Sequence, residues 1–208
     1  CATGYVTGRS IRDHASPHVD AGFVLTIDLE NFFPTISFSR VISIFRGLGY
    51  SGQVSTSLAK LCCLDNVLPQ GAPTSPSLSN IVCKRLDEKL ERFAIESGLR
   101  YTRYVDDMCF SGGEIKKHTL DEIEKIVSSE GFRTNKSKTH LHAPRSNLKL
   151  VTGVNVALGK MSLPKSYKSA ISTDLFHIEK YGLRSHLAKR KIRDPNYIEA
   201  LVGKVGYW

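Results

Sequence analysis

Two short runs of strand-forming residues, 101–105 and 108–110, flank the adjacent aspartates Asp106 and Asp107. Strands joined by so short a connection pair as an antiparallel hairpin, so both carboxylates are predicted at its tip. An Asp-Asp turn taken alone is more often a solvated surface turn. Its meaning therefore depends on which other residues the fold brings to the same place.

A third aspartate, Asp28, lies near the end of residues 23–29, where large apolar side chains occupy every second position. This period of two predicts a strand with Asp28 on the face opposite the apolar set. Carboxylates gathered without neutralising partners are costly unless a cation is present. Three aspartates on one sheet could hold the two Mg²⁺ ions, or Mn²⁺ in their place, that in-line phosphoryl transfer needs.

The remaining pattern is mainly helical. Apolar residues at helical spacing follow the first predicted strand, and the clearest such stretch runs from near Ser77 to a cap at Gly98. The order of strand, helices, hairpin and helices predicts an α+β fold, with an antiparallel sheet and helices packed behind it.

Charge is unevenly distributed along the 208 residues. Residues 1–130 hold 14 Lys and Arg against 16 Asp and Glu, whereas residues 131–208 hold 15 against 4. A basic C-terminal part beside a slightly acidic remainder fits a polyanion site next to a region that handles cations. No apolar run is long enough for a membrane span, so a cytoplasmic protein without a membrane partner is expected.

Three segments carry a family resemblance. Residues 28–33 (Asp-Leu-Glu-Asn-Phe-Phe), 68–76 (Leu-Pro-Gln-Gly-Ala-Pro-Thr-Ser-Pro) and 104–107 (Tyr-Val-Asp-Asp) resemble the successive palm motifs of reverse transcriptases, in the family's order. Residues 8–18 look like the segment before the first catalytic strand in retron and group II intron enzymes, and residues 150–153 resemble the stretch that opens the thumb in retron-type enzymes. The departures are His14, where retron-type enzymes usually have Asn, and Val105, where Ala is commoner.

The resemblance implies a right-hand polymerase fold with a remnant of the fingers in residues 1–20, a palm in 21–150 and the start of a helical thumb in 151–208. It implies RNA-directed DNA synthesis from dNTPs by two-metal nucleotidyl transfer, on an RNA template with a DNA or RNA primer. A retron-type enzyme would also have a structured non-coding RNA, an effector protein as a further partner, and a link to phage defence. Because the upstream finger motifs have no counterpart before Cys1, this fragment is expected to be poorly active or inactive.

The resemblance also implies roles for individual residues. Asp28, Asp106 and Asp107 would be catalytic and, together with Leu29, would hold the metal ions. Phe33 would be the steric gate against a ribose 2′-hydroxyl, and the incoming nucleotide would also contact Gln70, Gly71 and Lys138. The residues that would bind the nucleic acid are Arg9, Lys165, Lys168, Lys189, Arg190 and Lys191.

Other functions remain open on the sequence. An RNA-templated RNA polymerase shares the palm, and an abortive-infection polymerase makes DNA without a template. A degenerate palm could act only as an RNA-binding module, although the presence of all three aspartates argues against it. A zinc hydrolase could use His14 and His18 or His140 and His142, but Pro17 lies within the first pair and no partner acid is evident.

Overall fold

A computed structural model describes residues 1–207 and divides the chain into two compact units, Cys1–Met161 and Ser162–Trp208. The final position of the predicted range 151–208 lies outside the described residues. The helices of the first unit are α1 (Ile11–Ala15), α2 (Phe32–Thr35), α3 (Phe38–Gly47), α4 (Gly52–Cys62), α5 (Ser75–Val82), α6 (Lys84–Glu96) and α7 (Lys117–Ser129). Its strands are β1 (Phe23–Asp28), β2 (Arg100–Tyr104), β3 (Asp107–Gly112), β4 (His140–His142), β5 (Leu150–Val151) and β6 (Val154–Asn155).

Four strands form one antiparallel sheet in the order β2-β3-β1-β4. Leu25 and Ile27 of β1 face a large core that also contains buried residues of α6 and α7. Val24 belongs instead to a smaller core on the other face. The predicted alternation along β1, and with it the α+β fold of helices packed on an antiparallel sheet, is confirmed.

The long helix predicted between Ser77 and Gly98 is divided in the structure. It forms α5 and α6, which meet at the fully buried Cys83. The apolar spacing continues through Cys83, so the sequence pattern alone does not reveal the break. Gly98 follows α6 with a φ of 65°, the left-handed conformation that the predicted cap requires.

The hairpin of β5 and β6 belongs to the first unit. Val151 and Val154 pack into the smaller core, and the buried Lys149 donates to the carbonyl oxygens of Ala21 and Gly22 at 2.8 and 2.7 Å. These contacts attach the hairpin to the sheet, within the compact unit Cys1–Met161. The identification of the two units as palm and thumb stays a prediction.

The second unit consists of α8 (Lys165–Tyr181), α9 (Leu183–Arg190) and α10 (Tyr197–Tyr207). Ile171 and Leu201 are its buried apolar residues, and Nε2 of the buried His186 lies 2.7 Å from the Tyr197 hydroxyl. Within residues 1–207, the helices are all too short or too polar to span a bilayer.

Candidate active site

Strand pairing brings the three predicted carboxylates to one end of the sheet. Asp28, the last residue of β1, is paired in register with Asp107, the first residue of β3. Asp106 precedes it in the turn between β2 and β3, and its carbonyl oxygen accepts a bond of 3.0 Å from the Leu29 amide. Residues some eighty positions apart in the sequence are thus held together by backbone hydrogen bonds.

The acidic cluster formed by Asp28, Asp106 and Asp107 repels itself. Burial raises the pKa of Asp106, and the nearby charge of Asp28 raises it further. Burial also raises the pKa of Asp107, and here the second cause is the charge of Asp106. A cation between these carboxylates would relieve both the desolvation and the repulsion.

Lys138 is the basic side chain that contacts the acidic cluster. Its Nζ lies 3.1 Å from Oδ2 of Asp28, and this bond raises the pKa of Lys138. The side chain is 63% exposed, so the ion pair is open to solvent and its contribution to stability is small. A backbone bond of 2.8 Å from the Asn135 amide to the Asp28 carbonyl holds the short turn that carries Lys138 against β1.

The donor atoms of the cluster suit a magnesium ion. Mg²⁺ usually keeps several waters and takes one or two protein carboxylates plus substrate phosphates. Among residues 1–207, no three His, Cys, Asp or Glu side chains are grouped closely enough to hold a metal ion by themselves. An open set of carboxylates is what such a shared site requires. Leu29 has a buried apolar side chain, so only its backbone carbonyl could contact a cation.

A pocket of about 240 Å³ adjoins the cluster. Asp28, Asp107 and Lys138 line it together with Thr152, whose Oγ1 donates to Oδ2 of Asp107 at 3.2 Å. That bond lowers the pKa of Asp107 and partly offsets the effect of burial. Sequence reasoning did not identify Thr152 as a site residue; the resemblance of residues 150–153 to retron-type enzymes was the signal that pointed to this segment.

Phe33 lies in α2, directly after the segment that carries Asp28. The preceding Asn31 has a φ of 47°, a left-handed conformation that turns the chain sharply. Phe32 stacks on Phe132 with ring centroids 5.7 Å apart and is part of the core. Phe33 contacts the Phe32 ring at 5.2 Å and is 8% exposed, so its role as a gate stays a prediction.

The structure does not bring every predicted residue to the cluster. Gln70 and Gly71 are exposed in the segment between α4 and α5, and Gly71 has a φ of 92° that suits glycine. Among the described contacts, neither residue touches the aspartates. Arg9 is also exposed and forms an ion pair with Asp13 at 3.4 Å.

The basic residues predicted to bind nucleic acid, other than Arg9, lie in the second unit. Lys165, Lys189 and Lys191 are exposed there, and Lys168 is half-buried. Arg190 forms an ion pair with Asp174, so part of its charge is neutralised inside the unit.

His14 and His18 serve as hydrogen-bonding residues rather than as zinc ligands. Nδ1 and Nε2 of His18 lie 2.7 Å from the hydroxyls of Ser111 and Thr102, and Nδ1 of His14 lies 2.7 Å from the same Thr102 hydroxyl. With both ring nitrogens engaged, His18 has no lone pair available for a metal. His140 and His142 lie two positions apart on β4, an exposed and a half-buried residue of one short strand, with no acidic partner among their described contacts.

Comparison with known proteins agrees with this geometry. Residues 2–175 match the family described as reverse transcriptase (RNA-dependent DNA polymerase). The retron Ec86 reverse transcriptase of Escherichia coli is 40% identical over 177 residues, which cover 84% of this chain and 55% of that protein. The retron Mx65 reverse transcriptase of Myxococcus xanthus is 39% identical over 177 residues, covering 74% and 41%.

The chain thus spans about half the length of these curated relatives. A third, the retron Ec83 reverse transcriptase of Escherichia coli, is 30% identical over 223 aligned positions that cover 97% of this chain and 67% of that protein. Among solved structures, the apo telomerase of Candida tropicalis aligns with a TM-score of 0.48 and 16% identity, over 68% of this chain and 35% of that one. This structural similarity is too low to add to the sequence matches.

Proposed function

Because the chain belongs to the reverse transcriptase family and its relatives are retron enzymes, we propose that it carries the polymerase site of a retron-type enzyme that copies RNA into DNA. Reverse transcriptases act on RNA templates and use divalent metal ions. The observation that carries the proposal is the placement of Asp28, Asp106 and Asp107 at one end of the sheet, beside a pocket that Asp28 and Asp107 line. Polymerase chemistry needs such an open acidic site, whereas a module that only binds a polyanion is weakened by it.

Asp28 and Asp106 would hold the metal ions, with the Leu29 carbonyl and Asp107 as supporting ligands. Two bound Mg²⁺ ions supply activation of the primer 3′-hydroxyl and stabilisation of the leaving pyrophosphate. The protein's part is to keep the carboxylates in place through the backbone bonds between β1 and β3. Thr152 would keep the Asp107 carboxylate turned toward the site.

Lys138 would contribute positive charge where the triphosphate of the incoming nucleotide binds. The bond to Asp28 raises its pKa, so the ammonium group stays protonated at neutral pH. A cation bound to Asp28 would compete with this bond, and the exposed side chain could then turn toward a triphosphate. A protonated lysine placed there can balance the charge on pyrophosphate or donate a proton to it.

Replacing Phe33 by Val is expected to increase the incorporation of ribonucleotides, because a smaller side chain leaves room for a 2′-hydroxyl. Valine retains part of the buried apolar volume, which limits the loss of stability that alanine would cause. The measurement is the ratio of kcat/KM for dNTP and rNTP substrates. Phe32→Leu is the matched control, because Phe32 stacks on Phe132 in the core. Equal selectivity in Phe33→Val and the unmodified protein would remove Phe33 as the gate.

The basic residues of the second unit are proposed to bind the phosphate backbone of the template and primer. Changing both Lys189 and Lys191 to Glu is expected to weaken binding of primer-template of any sequence, and to reduce the slope of log K against log salt by about one for each lysine that binds a phosphate. Fluorescence anisotropy at several salt concentrations measures both. Arg190 is left unchanged because its ion pair with Asp174 would be broken. If the affinity and its salt dependence are unchanged, these lysines do not contact the nucleic acid.

The test of the proposed function is primer extension by the full-length protein on an RNA template with Mg²⁺ and dNTPs, followed by sequencing of the product. DNA complementary to the template is expected. DNA unrelated to the template would indicate an abortive-infection polymerase, and extension from rNTPs alone an RNA polymerase. Binding of RNA without any synthesis would favour the degenerate palm. The structured RNA partner is part of the proposal, and the effector protein and the link to phage defence stay predictions.

A further inference from the structure

The turn that carries Asp106 has a strained backbone. Val105 has a φ of 60°, a left-handed conformation that a β-branched residue rarely adopts. Such strain persists only where the surroundings hold the residue in place. On one side Gly4 lies against the turn so closely that a Cβ there would be 2.6 Å from the Val105 nitrogen. The strained turn also needs a contact on the side away from Gly4.

The guanidinium group of Arg103 holds the turn from inside the protein. Arg103 is fully buried, and its Nη1 donates to the Val105 carbonyl at 2.8 Å. Its Nε and Nη2 donate to the two carboxylate oxygens of Asp87, at 2.8 and 2.7 Å. Nη2 also lies 3.2 Å from the amide oxygen of Asn80, whose Nδ2 donates to the Gly4 carbonyl at 2.9 Å. One planar group therefore joins α5, α6 and the turn.

The arrangement requires the fork of an arginine. A buried ion pair by itself is weak grounds for a stabilising role, since the desolvation of both charges offsets their attraction. Here the Asp87 carboxylate also accepts a bond of 2.9 Å from the Tyr101 hydroxyl, so its position is fixed independently of Arg103. A lysine at position 103 could keep the charge opposite Asp87, but its single ammonium group lacks the rigid fork that reaches the Val105 carbonyl as well.

We propose that Arg103 is a positioning residue for the polymerase site: by holding the Val105 carbonyl, it fixes the turn that places Asp106 beside Asp28. The inference rests on the proposed function for its catalytic consequence, and on the hydrogen bonds for its structural one. On its far side the turn is bonded to β1 through the Leu29 amide and the Asp106 carbonyl. Loosening Arg103 therefore loosens the contact between the two metal-binding segments.

The test compares Arg103→Lys with Arg100→Lys, an exposed arginine on the same strand, in the full-length protein. Loss of a residue that orients a metal ligand typically costs about 10- to 100-fold in metal affinity or activity. We expect a fall of that size in kcat for primer extension and a higher Mg²⁺ requirement, while the KM for primer-template stays within about twofold. Arg100→Lys should match the unmodified protein.

A second readout does not depend on activity. Hydrogen exchange of the Leu29 amide, which bonds the Asp106 carbonyl, should speed up in Arg103→Lys, whereas amides at the centre of the sheet keep their protection. Should Arg103→Lys fail to fold, Gly4→Ala disturbs the same turn from the other side and should give the same two changes. If the unmodified protein makes no DNA, the proposed function fails, but the exchange result still decides the role of Arg103. Unchanged kcat, Mg²⁺ requirement and Leu29 exchange would overturn the proposal.

Discussion

Replacing Asp106 by Asn is expected to lower the rate of primer extension by about a thousandfold, because one metal-binding carboxylate contributes several kcal/mol to the transition state and each 1.4 kcal/mol is about tenfold in rate. The fold should be kept. Asn has nearly the same shape, and Asp106 lies in the turn between β2 and β3, where its backbone carbonyl still accepts from Leu29.

The same substitution is expected to leave the free energy of unfolding equal or slightly higher in the absence of metal. Burial and the charge of Asp28 raise the pKa of Asp106, which means that the folded state disfavours the ionised carboxylate. Removing that charge relieves the repulsion. Steady-state extension and urea denaturation without Mg²⁺ measure the two effects. Asp121→Asn, at an exposed position of α7, is the matched control.

A combined loss of activity and stability in Asp106→Asn would contradict this assignment, because it would mean that Asp106 supports the fold rather than binds a metal. Retained activity would show that the metal ions are held elsewhere. Added Mg²⁺ should raise the stability of the unmodified protein more than that of Asp106→Asn, since a ligand that binds only the folded state stabilises it.

The acidic cluster could be predicted from the sequence because its geometry follows from local rules. The period-two pattern ending at Asp28 and the short connection at Asp106 and Asp107 each specify where a carboxylate lies on its own strand. The pairing of β1 with β3 is a long-range contact that no local pattern specifies, and the sequence predicted only that the three aspartates share one sheet. The register of Asp28 with Asp107 is seen in the structure.

Residues that support the cluster could not be predicted in the same way. Arg103 appears in the sequence as one more basic residue in a basic protein, and only the position of Asp87 on α6 makes its burial possible. The position of Thr152 depends on the hairpin of β5 and β6, which packs on the face of the sheet that carries the smaller core. His14 and His18 suggested a metal site by their spacing, yet Thr102 and Ser111 of neighbouring strands satisfy them. Each of these contacts joins segments that are distant in the sequence.

The two buried histidines and the acidic cluster differ in the charge that their surroundings favour. The aspartates lie at one end of the sheet, where a cation can neutralise them, whereas the His14 and His18 side chains are almost fully buried and burial favours their uncharged form. In the described residues every buried side-chain nitrogen and oxygen has a hydrogen-bond partner, and this includes both ring nitrogens of His18. Protonation would add a charge without adding a partner.

The protein is therefore expected to lose stability in mild acid. Burial lowers the pKa of His14 to about 4, with Arg103 as a second cause, and lowers the pKa of His18 to about 3, with His14 and Arg100 as further causes. An unfolded histidine titrates near 6.5, so below that pH the unfolded chain binds more protons than the folded one. The stabilisation is fully present above pH 6.5 and falls as the pH falls toward the folded values.

At about pH 5 each histidine should cost roughly 2 kcal/mol relative to neutral pH, since one pKa unit corresponds to about 1.4 kcal/mol. Two such losses are a large part of the stability of an ordinary domain. Urea denaturation at about pH 7.5 and pH 5 measures the fall. His14→Asn should reduce it by about 2 kcal/mol, because asparagine can bond to Thr102 without titrating.

His118→Asn is the control for this experiment, because His118 is exposed on α7 and lies outside the buried network. Asp106 and Asp107 act in the opposite direction: their raised pKa values make the folded state gain stability as the pH falls. Both aspartates are present in every variant, so their effect cancels in the comparison.

An identical fall in stability for His14→Asn and the unmodified protein would show that the buried network is not the origin of the acid sensitivity. A smaller fall confined to His14→Asn would place the proton uptake at the contact between α1 and β2.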